Sequence, residues 1–440
     1  MISIKEKINI NYYFIPFIAF LFYFAWALHL PMGQAPDEYM RIQIPFWIYE
    51  HGKLPIGNET ELINSIWGTS YGFSPYLPSI ISVFFMKVVS LYRSSPRALM
   101  FACRLTSVFS GTLTSVMCVL ISHQLFKTTI SKCLFISLIC FIPQFVFISS
   151  YFNNDSFSVL CSAIIFYSWI RGQKTNWDYK SCIILGLGIG LISITYYFAY
   201  GWILSSILLF IISIHGERNH KEILKKILVI ITIAFIVAGW YFIRNLIIYN
   251  GDLLGRKVSS NCAELFAQDA FKPSMKDTLR RQGLPLFSVL TINSYYWVIV
   301  TFKSFFAGFG YMSVFAPPFI YWLSFCLFLF LLLFLGIFFF KKRQTPFGER
   351  IIVPMLLCII IPFILSMYFS WSWDYQPQGR YIISGIIPLM VLLTTGIDNL
   401  LTDRLGNKIY KLSAYIALLI WIFLFFYCFI NMSYGKCWGL

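Results

Sequence analysis

Acidic residues are scarce in this chain, which has 18 Asp and Glu against 34 Lys and Arg in 440 residues. Charged residues make up only 12% of the sequence, whereas soluble domains carry roughly 25%. Hydrophobic residues account for 58% and the mean hydropathy is +0.73. This composition excludes a soluble globular protein. It predicts an all-α polytopic membrane protein that forms a single integral membrane domain over residues 1–440.

Two further features are missing from the sequence. It has no basic stripe and no RNA-binding aromatic motif, so the net charge of +16 does not indicate nucleic-acid binding. The scattered Lys and Arg residues fit topology signals and contacts with anionic lipids or phosphate-bearing ligands. It also has no C-x-x-C pair, and most of its 11 cysteines lie in apolar runs. Cys262 and Cys437 are the one pair for which an extracytoplasmic disulfide stays open.

Apolar runs of spanning length predict 11 transmembrane helices. The first follows Lys5 and Lys7 and is too long for a signal-peptide core, so we expect it to remain as an anchor. A further run at 74–92 contains two prolines and Lys87, and we expect it to lie in the interface without crossing. The predicted spans are near 11–31, 104–125, 133–151, 157–171, 181–197, 199–215, 223–243, 320–340, 351–371, 381–398 and 412–432.

The orientation of the chain depends on the run at 74–92. If this run does not cross, five short loops rich in Lys and Arg fall on the cytoplasmic side, as the positive-inside rule requires. Two long segments, 32–103 and 244–319, then face away from the cytoplasm, and loops of that length are uncommon unless they are functional. The same topology places the unusual polar residues of the chain on that extracytoplasmic face.

Two adjacent acids follow the first apolar run. Pro36 precedes Asp37 and Glu38, and carboxylates at the mouth of a membrane helix are costly unless they are solvated or paired. One interpretation is an ordinary helix start, with acids in the first turn and Asp37 paired with Arg41. The other is that one carboxylate faces a cavity as a general base. The periodicity of residues 37–52 predicts an amphipathic helix on the membrane surface.

Asn154 and Asp155 lie between two predicted spans. They suit a turn with a helix N-cap, or a second acid that binds a hydroxyl or a cation on the same face. A hard cation needs several oxygen ligands at one place. The sequence cannot bring such ligands together, so the presence of a metal site stays open.

Two arginines at the same predicted depth are candidates for binding phosphate. Arg244 suits the interfacial aromatic belt or a lipid phosphate, whose oxygens match the planar donors of the guanidinium. Arg380 lies in the loop formed by Gln378, Gly379 and Tyr381 around it. That loop suits an interfacial anchor, or a phosphate clamp in which the glycine lets the backbone approach closely.

A series of short motifs resembles the GT-C superfamily, the multi-span glycosyltransferases that use polyprenyl-phosphate-linked sugars. Their order along the chain and their shared face carry the resemblance, although each motif is short. The stretch Gly72-Phe73-Ser74-Pro75-Tyr76 departs from the family pattern, so a metal or phosphate contact is not implied there. The motifs are Ala35-Pro36-Asp37-Glu38-Tyr39, Glu50-His51-Gly52-Lys53-Leu54-Pro55, Ser74-Pro75-Tyr76, Cys103-Arg104-Leu105-Thr106-Ser107, Asn154-Asp155, Arg244-Asn245 with Tyr249 to Asp252, and Gln376 to Tyr381.

The resemblance implies a GT-C-type bundle of about 11 helices in the inner membrane of a bacterium, with its active site facing the periplasm. The implied activity is inverting transfer of a sugar from a polyprenyl-phosphate donor to a hydroxyl of a surface glycan such as O-antigen, with or without a divalent cation. Asp37 would be the catalytic base and Glu38 would assist or orient it. The implied substrate-binding residues are Asp155, Asn154, Arg380, Arg244, Gln378 and Tyr381.

Two other classes of function stay open at this point. One is a flippase or transporter for lipid-linked sugars, which should show internal repeats or broken helices that meet at the bilayer midplane. The sequence shows no clear repeat, and its polar residues lie at helix ends. The other is a non-catalytic subunit of a glycan-assembly complex.

Overall fold

The computed structural model describes residue 12 and residues 14–215, 219–340, 348–401 and 407–433. Within these ranges the chain is almost wholly helical, so the all-α prediction is confirmed. The α-helices are α1 (Phe14–His29), α2 (Glu38–His51), α3 (Leu77–Ser90), α4 (Pro96–Leu125), α5 (Thr129–Cys140), α6 (Pro143–Ile148), α7 (Asp155–Thr175), α8 (Tyr179–Ser193), α9 (Gly201–Ile214), α10 (His220–Ile248), α11 (Arg256–Phe266), α12 (Ser288–Ala307), α13 (Pro318–Phe340), α14 (Ile352–Ser372), α15 (Ile386–Leu401) and α16 (Asn407–Ser433).

The remaining regular structure is short. Strands β1 (Gly308–Phe309) and β2 (Val314–Phe315) pair antiparallel after α12. The 3₁₀ segment Gly379–Gly385 leads into α15 and contains Arg380 and Tyr381, two of the predicted site residues. The 3₁₀ segments span Tyr71–Phe73, Tyr197–Ala199, Asp269–Phe271, Glu349–Ile351 and Gly379–Gly385.

Seven stretches of helix in the described residues are long and apolar enough to cross a bilayer. The prediction of a polytopic membrane protein is therefore confirmed. Helices α1, α5, α7 and α8 occupy the other predicted spans but are shorter or less apolar, so the count of 11 stays a prediction. The seven are Pro96–Leu125, Tyr197–Ile214, His220–Ile248, Pro318–Phe340, Glu349–Ser372, Gly379–Asn399 and Lys411–Asn431.

The run at 74–92 forms helix α3, which has 14 residues. At about 1.5 Å per residue, a helix of this length is shorter than the roughly 30 Å of a hydrocarbon core. Helices α5 and α8, with 12 and 15 residues, are of similar length, so it stays a prediction that this run does not cross.

The run predicted to span at 133–151 is not one continuous helix, because the structure divides it into α5 and α6. The break lies at Phe141 and Ile142, directly before Pro143. Proline disfavours helical backbone in the preceding residue, and Ile142 is indeed extended, with φ −65° and ψ 126°. The short helix α6 then leads into the turn that carries Asn154 and Asp155.

Three stretches that are distant in sequence meet on one side of the bundle. Helix α2 packs against α3 and α4, so the first long segment folds back onto the helices. Helix α7 packs between α4 and α8. The segment Gly379–Gly385 packs against α7, α12 and α14. The start of α2, the start of α7 and the start of this 3₁₀ segment are thereby brought together.

Some sequence predictions fall outside the described residues. Cys437, the candidate partner of Cys262, is one of them, and Cys262 itself is buried. Parts of three predicted cytoplasmic loops, at 216–218, 341–347 and 402–406, are also outside.

Candidate active site

Asp37 directly precedes α2 and has left-handed backbone, with φ 61° and ψ −4°. Among residues other than glycine, Asp and Asn tolerate this conformation best. The carboxylate does not cap the helix. Its Oδ2 accepts a 2.6 Å hydrogen bond from Arg380 Nη2 instead. The helix-start interpretation is therefore correct for the backbone, but the ion pair of Asp37 is with Arg380 and not with Arg41.

Arg380 is 3% exposed and lies between the two predicted acids. Its Nη1 is 4.0 Å from Asp155 Oδ2, while Nη2 donates to Asp37. Its Nε donates to Gln378 Oε1 at 2.6 Å, and Nη1 donates to the Pro36 carbonyl at 3.5 Å. One guanidinium thus contacts the motif of Asp37, the motif of Asp155 and its own loop.

Gly379 explains how Arg380 reaches this position. Its backbone N–H donates to Ser304 Oγ at 2.8 Å, which fixes the segment on α12. A Cβ at Gly379 would lie 2.2 Å from the backbone nitrogen of Phe305, so a larger residue does not fit. The close approach expected at Gly379 is therefore made to α12 and not to a ligand.

Asp155 is the first residue of α7 and is 1% exposed. Neither of its carboxylate oxygens has a hydrogen-bond partner in the described part of the chain. The preceding Asn154 donates to the carbonyls of Pro75 and Thr195, at 3.0 and 2.8 Å. Asn154 therefore ties α7 to two loops and places Asp155 beside Arg380.

Tyr381 completes this group of predicted residues. Its ring stacks on Phe198, with ring centroids 4.9 Å apart and an angle of 8° between the ring planes. Its hydroxyl donates to Gln376 Oε1 at 2.6 Å. Tyr381 is thus fixed in orientation at both ends of the side chain.

Glu38 lies behind this group and is fully buried. Arg104 donates to its two oxygens, from Nε and Nη2, at 2.8 Å each. The backbone N–H of Phe152 donates to Oε1 at 3.0 Å. These bonds join α2 to α4 and to the turn before α7. The direct catalytic role of Glu38 stays a prediction, and its geometry is that of an anchor for the residue beside it.

Arg244 is the predicted site residue that the structure does not bring to the group. It lies on α10, and its Nη2 donates to the carbonyls of Leu54 and Pro55, at 3.3 and 2.6 Å. These bonds hold the first long segment against α10. Phosphate binding by Arg244 stays a prediction.

A cavity of about 620 Å³ opens beside Asp37. This volume is within the usual range of ligand sites, roughly 300–1,000 Å³. Four charged residues line it: Asp37, Arg41, Arg256 and Arg280. Aromatic rings form much of the wall and present flat apolar faces with polar tips, which suit sugar and isoprenoid surfaces. They belong to Tyr71, Tyr196, Tyr197, Phe198, Tyr368, Phe369, Trp373 and Tyr381.

The protonation state of Asp37 follows from its surroundings. Burial raises the pKa of this carboxyl, but the charges of Arg380 and Arg41, with hydrogen bonds from Arg380 and Tyr71, lower it by more. The pKa of Asp37 is therefore below its ordinary value. Burial raises the pKa of the Tyr71 phenol, so that hydroxyl keeps its proton and can donate. Asp37 is an ionised hydrogen-bond acceptor at neutral pH.

The donor set does not fit a divalent cation. The two carboxylates nearest the cavity, Asp37 and Asp155, are both paired with Arg380, whose guanidinium occupies the space between them. A cation there would meet this positive charge before it met enough oxygen ligands. In the described residues no three His, Cys, Asp or Glu side chains are grouped closely enough to hold a metal.

Sequence reasoning missed several residues of the site. Arg41 was interpreted only as a partner of Asp37, and its spacing was the one available signal. Tyr71 and Tyr196 carried no signal, because tyrosines are common throughout this chain. Arg256 and Arg280 lie in the second long segment, whose length alone indicated a function.

Comparisons with known proteins identify the fold. Residues 73–242 match the family model described as dolichyl-phosphate-mannose-protein mannosyltransferase. No curated protein matches the chain significantly in sequence. The oligosaccharyltransferase of Archaeoglobus fulgidus in its apo form is similar in structure, with a TM-score of 0.60 and 14% identity. That likeness covers 100% of this chain and 57% of the archaeal protein.

Two further structures are similar. One is oligosaccharyltransferase AglB from Archaeoglobus fulgidus with an inhibitory peptide and a dolichol-phosphate, with a TM-score of 0.55, 14% identity and coverage of 97% of this chain and 56% of AglB. The other is ArnT from Cupriavidus metallidurans bound to undecaprenyl phosphate, with a TM-score of 0.52 and 12% identity. That likeness covers 94% of this chain and 69% of ArnT. These likenesses confirm the resemblance to the GT-C superfamily: the chain has a GT-C-type fold.

Proposed function

We propose that this protein is an inverting glycosyltransferase that moves a sugar from a polyprenyl-phosphate donor to a hydroxyl of a surface glycan. The observation that carries the proposal is the position of the Asp37 carboxylate, which is held by Arg380 at the wall of a cavity of about 620 Å³ that three arginines also line. A base beside a cationic cavity suits a reaction that deprotonates a hydroxyl and releases a phosphate.

The proposed chemistry is a single displacement. The acceptor oxygen forms a bond to the anomeric carbon while Asp37 takes the hydroxyl proton. The bond from the anomeric carbon to the phosphate oxygen breaks, and its electron pair leaves with the polyprenyl phosphate. Attack opposite to the leaving group inverts the anomeric centre. The leaving phosphate needs no proton, because cations in the cavity stabilise its growing negative charge.

Arg380 acts on the base in this proposal. Its ion pair holds the Asp37 carboxylate in one orientation, and its charge keeps that carboxylate ionised in spite of partial burial. The rotamer of Arg380 is fixed in turn by Gln378. Glu38 and Arg104 support the same turn from behind.

The comparisons support the donor class but not the acceptor. ArnT and AglB have been solved with undecaprenyl phosphate and dolichol-phosphate respectively. The chain spans only 57% and 56% of the two archaeal structures, so their activities are not transferred whole. O-antigen or a similar glycan as acceptor, the bacterial inner membrane and a periplasmic active site are part of the proposal.

The proposal is tested by comparing surface glycans by mass spectrometry in cells with and without the gene. We expect one glycan species to lose the mass of a sugar in the deletion strain and to regain it with the wild-type gene. Asp37→Asn should not restore that mass, although the protein accumulates in the membrane. Asp277→Asn, at an exposed aspartate outside the cavity lining, is the matched control and should restore it.

Each result has one interpretation. Full restoration by Asp37→Asn at normal protein level contradicts catalysis by Asp37. It would favour a lipid-linked sugar transporter or a non-catalytic subunit, since neither needs this base.

A further inference from the structure

Arg41 has a buried N–H donor for which the described part of the protein supplies no acceptor. It lies on α2, one turn after Asp37, and is 8% exposed. Its guanidinium carbon is 4.1 Å from the centroid of the Tyr71 ring. Its buried Nε has no hydrogen-bond partner in the described part of the chain.

An orphaned guanidinium N–H of this kind indicates a ligand. Buried donors are nearly always satisfied, and leaving one unmade costs free energy. The contact with the Tyr71 ring does not satisfy Nε, which is one of the N–H donors along the edge of the guanidinium. Phosphate oxygens match that edge with two parallel hydrogen bonds.

The space for this ligand is the large cavity. Arg41 lines both the 620 Å³ cavity and a second void of about 10 Å³ behind it. The small void is at the lower limit for a single water molecule and cannot hold an anion. The large cavity contains Asp37 in the same wall, so a ligand on Arg41 lies beside the proposed base.

Charge in and around the cavity favours an anion. Asp37 and Asp155 are balanced by Arg380 and Arg41, and Arg256 and Arg280 add positive charge to the lining. A bound phosphate diester offsets part of that excess.

The other candidate arginines do not line the cavity, and both donate to the protein itself. Arg380 donates from three nitrogens to Gln378, Pro36 and Asp37, and it is not part of the cavity wall. Arg244 donates from Nη2 to backbone carbonyls of the first segment, and its Nη1 has no partner among the described residues, but it also lies outside that wall. Arg41 lines the cavity, and its Nε has no acceptor among the described residues.

We propose that Arg41 binds the phosphate of the polyprenyl-phosphate donor and receives the negative charge of the leaving group. This proposal rests on the proposed function and gives Arg41 the role that the family resemblance gave to Arg380 or Arg244. The proposed base, Asp37, and the phosphate-binding residue, Arg41, then lie one turn apart at the start of α2. Their separation is set by that turn, which Glu38 anchors through Arg104.

The test is equilibrium binding to the purified full-length protein in detergent. The probes are a polyprenyl monophosphate and the polyprenol of the same chain length. Arg41→Gln should weaken binding of the monophosphate by about tenfold or more, because two charge-assisted bonds are lost. Binding of the polyprenol should stay at the wild-type level. Arg41→Lys should lie between, since lysine keeps the charge but not the planar fork.

Controls separate this proposal from general loss of structure. Arg97→Gln, at an exposed arginine in the first turn of α4, should bind both lipids as the wild type does. Wild-type affinity of Arg41→Gln for the monophosphate overturns the proposal, and so does an equal loss for both lipids in a variant that elutes as a folded monodisperse protein. If Arg41→Gln does not fold, Arg41→Lys decides by the same comparison of the two lipids.

The same experiment distinguishes failure of this inference from failure of the proposed function. Asp37→Asn should bind the monophosphate at least as tightly as the wild type, because it removes a negative charge from the cavity wall and leaves Arg41 in place. If phosphate-selective binding depends on Arg41 but the protein transfers no sugar, the lipid-phosphate site is supported and the glycosyltransferase function is contradicted.

Discussion

Asp37 and Glu38 are adjacent carboxylates with the same charge, and the fold uses them in opposite ways. Glu38 is fully buried, and both of its oxygens are occupied by Arg104 and the N–H of Phe152. Asp37 has a side chain that is 31% exposed, lines the cavity and is paired with Arg380 through one oxygen. One carboxylate is saturated by the protein, and the other keeps capacity for a substrate.

The difference shows what separates a structural acid from a reactive one here. Sequence position does not separate them, because both acids follow Pro36 in one motif. What separates them is that Asp37 lines the cavity and is paired with Arg380 through one oxygen, whereas Glu38 does not line it and has both oxygens occupied. Asp155 differs from both, because its oxygens are buried outside the cavity lining and lie beside Arg380 at 4.0 Å.

The largest expected effect is a loss of stability when Glu38, the structural acid, loses its charge. Glu38→Gln leaves Arg104 buried without its counter-charge and should destabilise the protein by about 3–5 kcal/mol. Asp37→Asn should cost much less, because the amide oxygen can still accept from Arg380, Asp155 stays 4.0 Å away, and Asn tolerates left-handed backbone. Thermal unfolding of the purified variants measures this. Equal destabilisation by both would contradict the assignment of Glu38 as the anchor.

A second expected effect concerns the support of Arg380. Gly379→Ala would place a Cβ against the backbone of Phe305, so the segment must shift, at a cost of about 1–3 kcal/mol. We expect Arg380 to move off Asp37 and the transfer rate to fall. Gly336→Ala is the matched control, because no atom lies within 4 Å of the added Cβ in α13. Unchanged transfer by Gly379→Ala would show that this packing does not hold the base.

A third prediction sharpens the chemical side through pH. A base must be ionised, so the rate is lost as pH falls through the pKa of Asp37. In the wild type that pKa lies below its ordinary value of about 3.9, so kcat/KM should show no acid limb from this group above about pH 4. Arg380→Gln removes the main charge that offsets the effect of burial on the pKa of Asp37. That pKa should rise, and the fall of kcat/KM at acid pH should move to higher pH. A limb that does not move would contradict control of Asp37 by Arg380.

The smallest expected effect concerns Arg244, which lies away from both acids. Arg244→Gln loses the 2.6 Å bond to Pro55 and should cost about 1 kcal/mol of stability. Proteolysis within residues 53–76 should become faster, while binding of a polyprenyl monophosphate stays unchanged. Loss of that binding would make Arg244 a phosphate ligand and extend the site to α10.

Part of this fold was predictable from the sequence. Long apolar runs predicted the helices, and the positive-inside argument placed Asp37, Asp155 and Arg380 on one face, where the structure brings them together. The break before Pro143 was also signalled, since proline in an apolar run ends or kinks a helix. That signal was outweighed by the continuous hydrophobicity around it.

The partners of the charged residues were not predictable. Arg380 is 343 residues from Asp37, and Arg104 is 66 residues from Glu38. Which arginine meets which acid depends on how α2, α4 and the segment Gly379–Gly385 pack. Spacing along one helix favoured Arg41 as the partner of Asp37, and a tertiary contact replaced that pair.

The most direct test of the central claim is the initial rate of sugar transfer by Asp37→Asn and Glu38→Gln, measured side by side in lipid nanodiscs and expressed per folded molecule. The donor is a radiolabelled polyprenyl-phosphate sugar, and the acceptor is the glycan identified in cells. We predict that Asp37→Asn loses about 10²–10⁴-fold in rate while it stays folded. The folded fraction of Glu38→Gln should keep most of its rate. A wild-type rate for Asp37→Asn, or an equal loss in folded Glu38→Gln, would contradict this account.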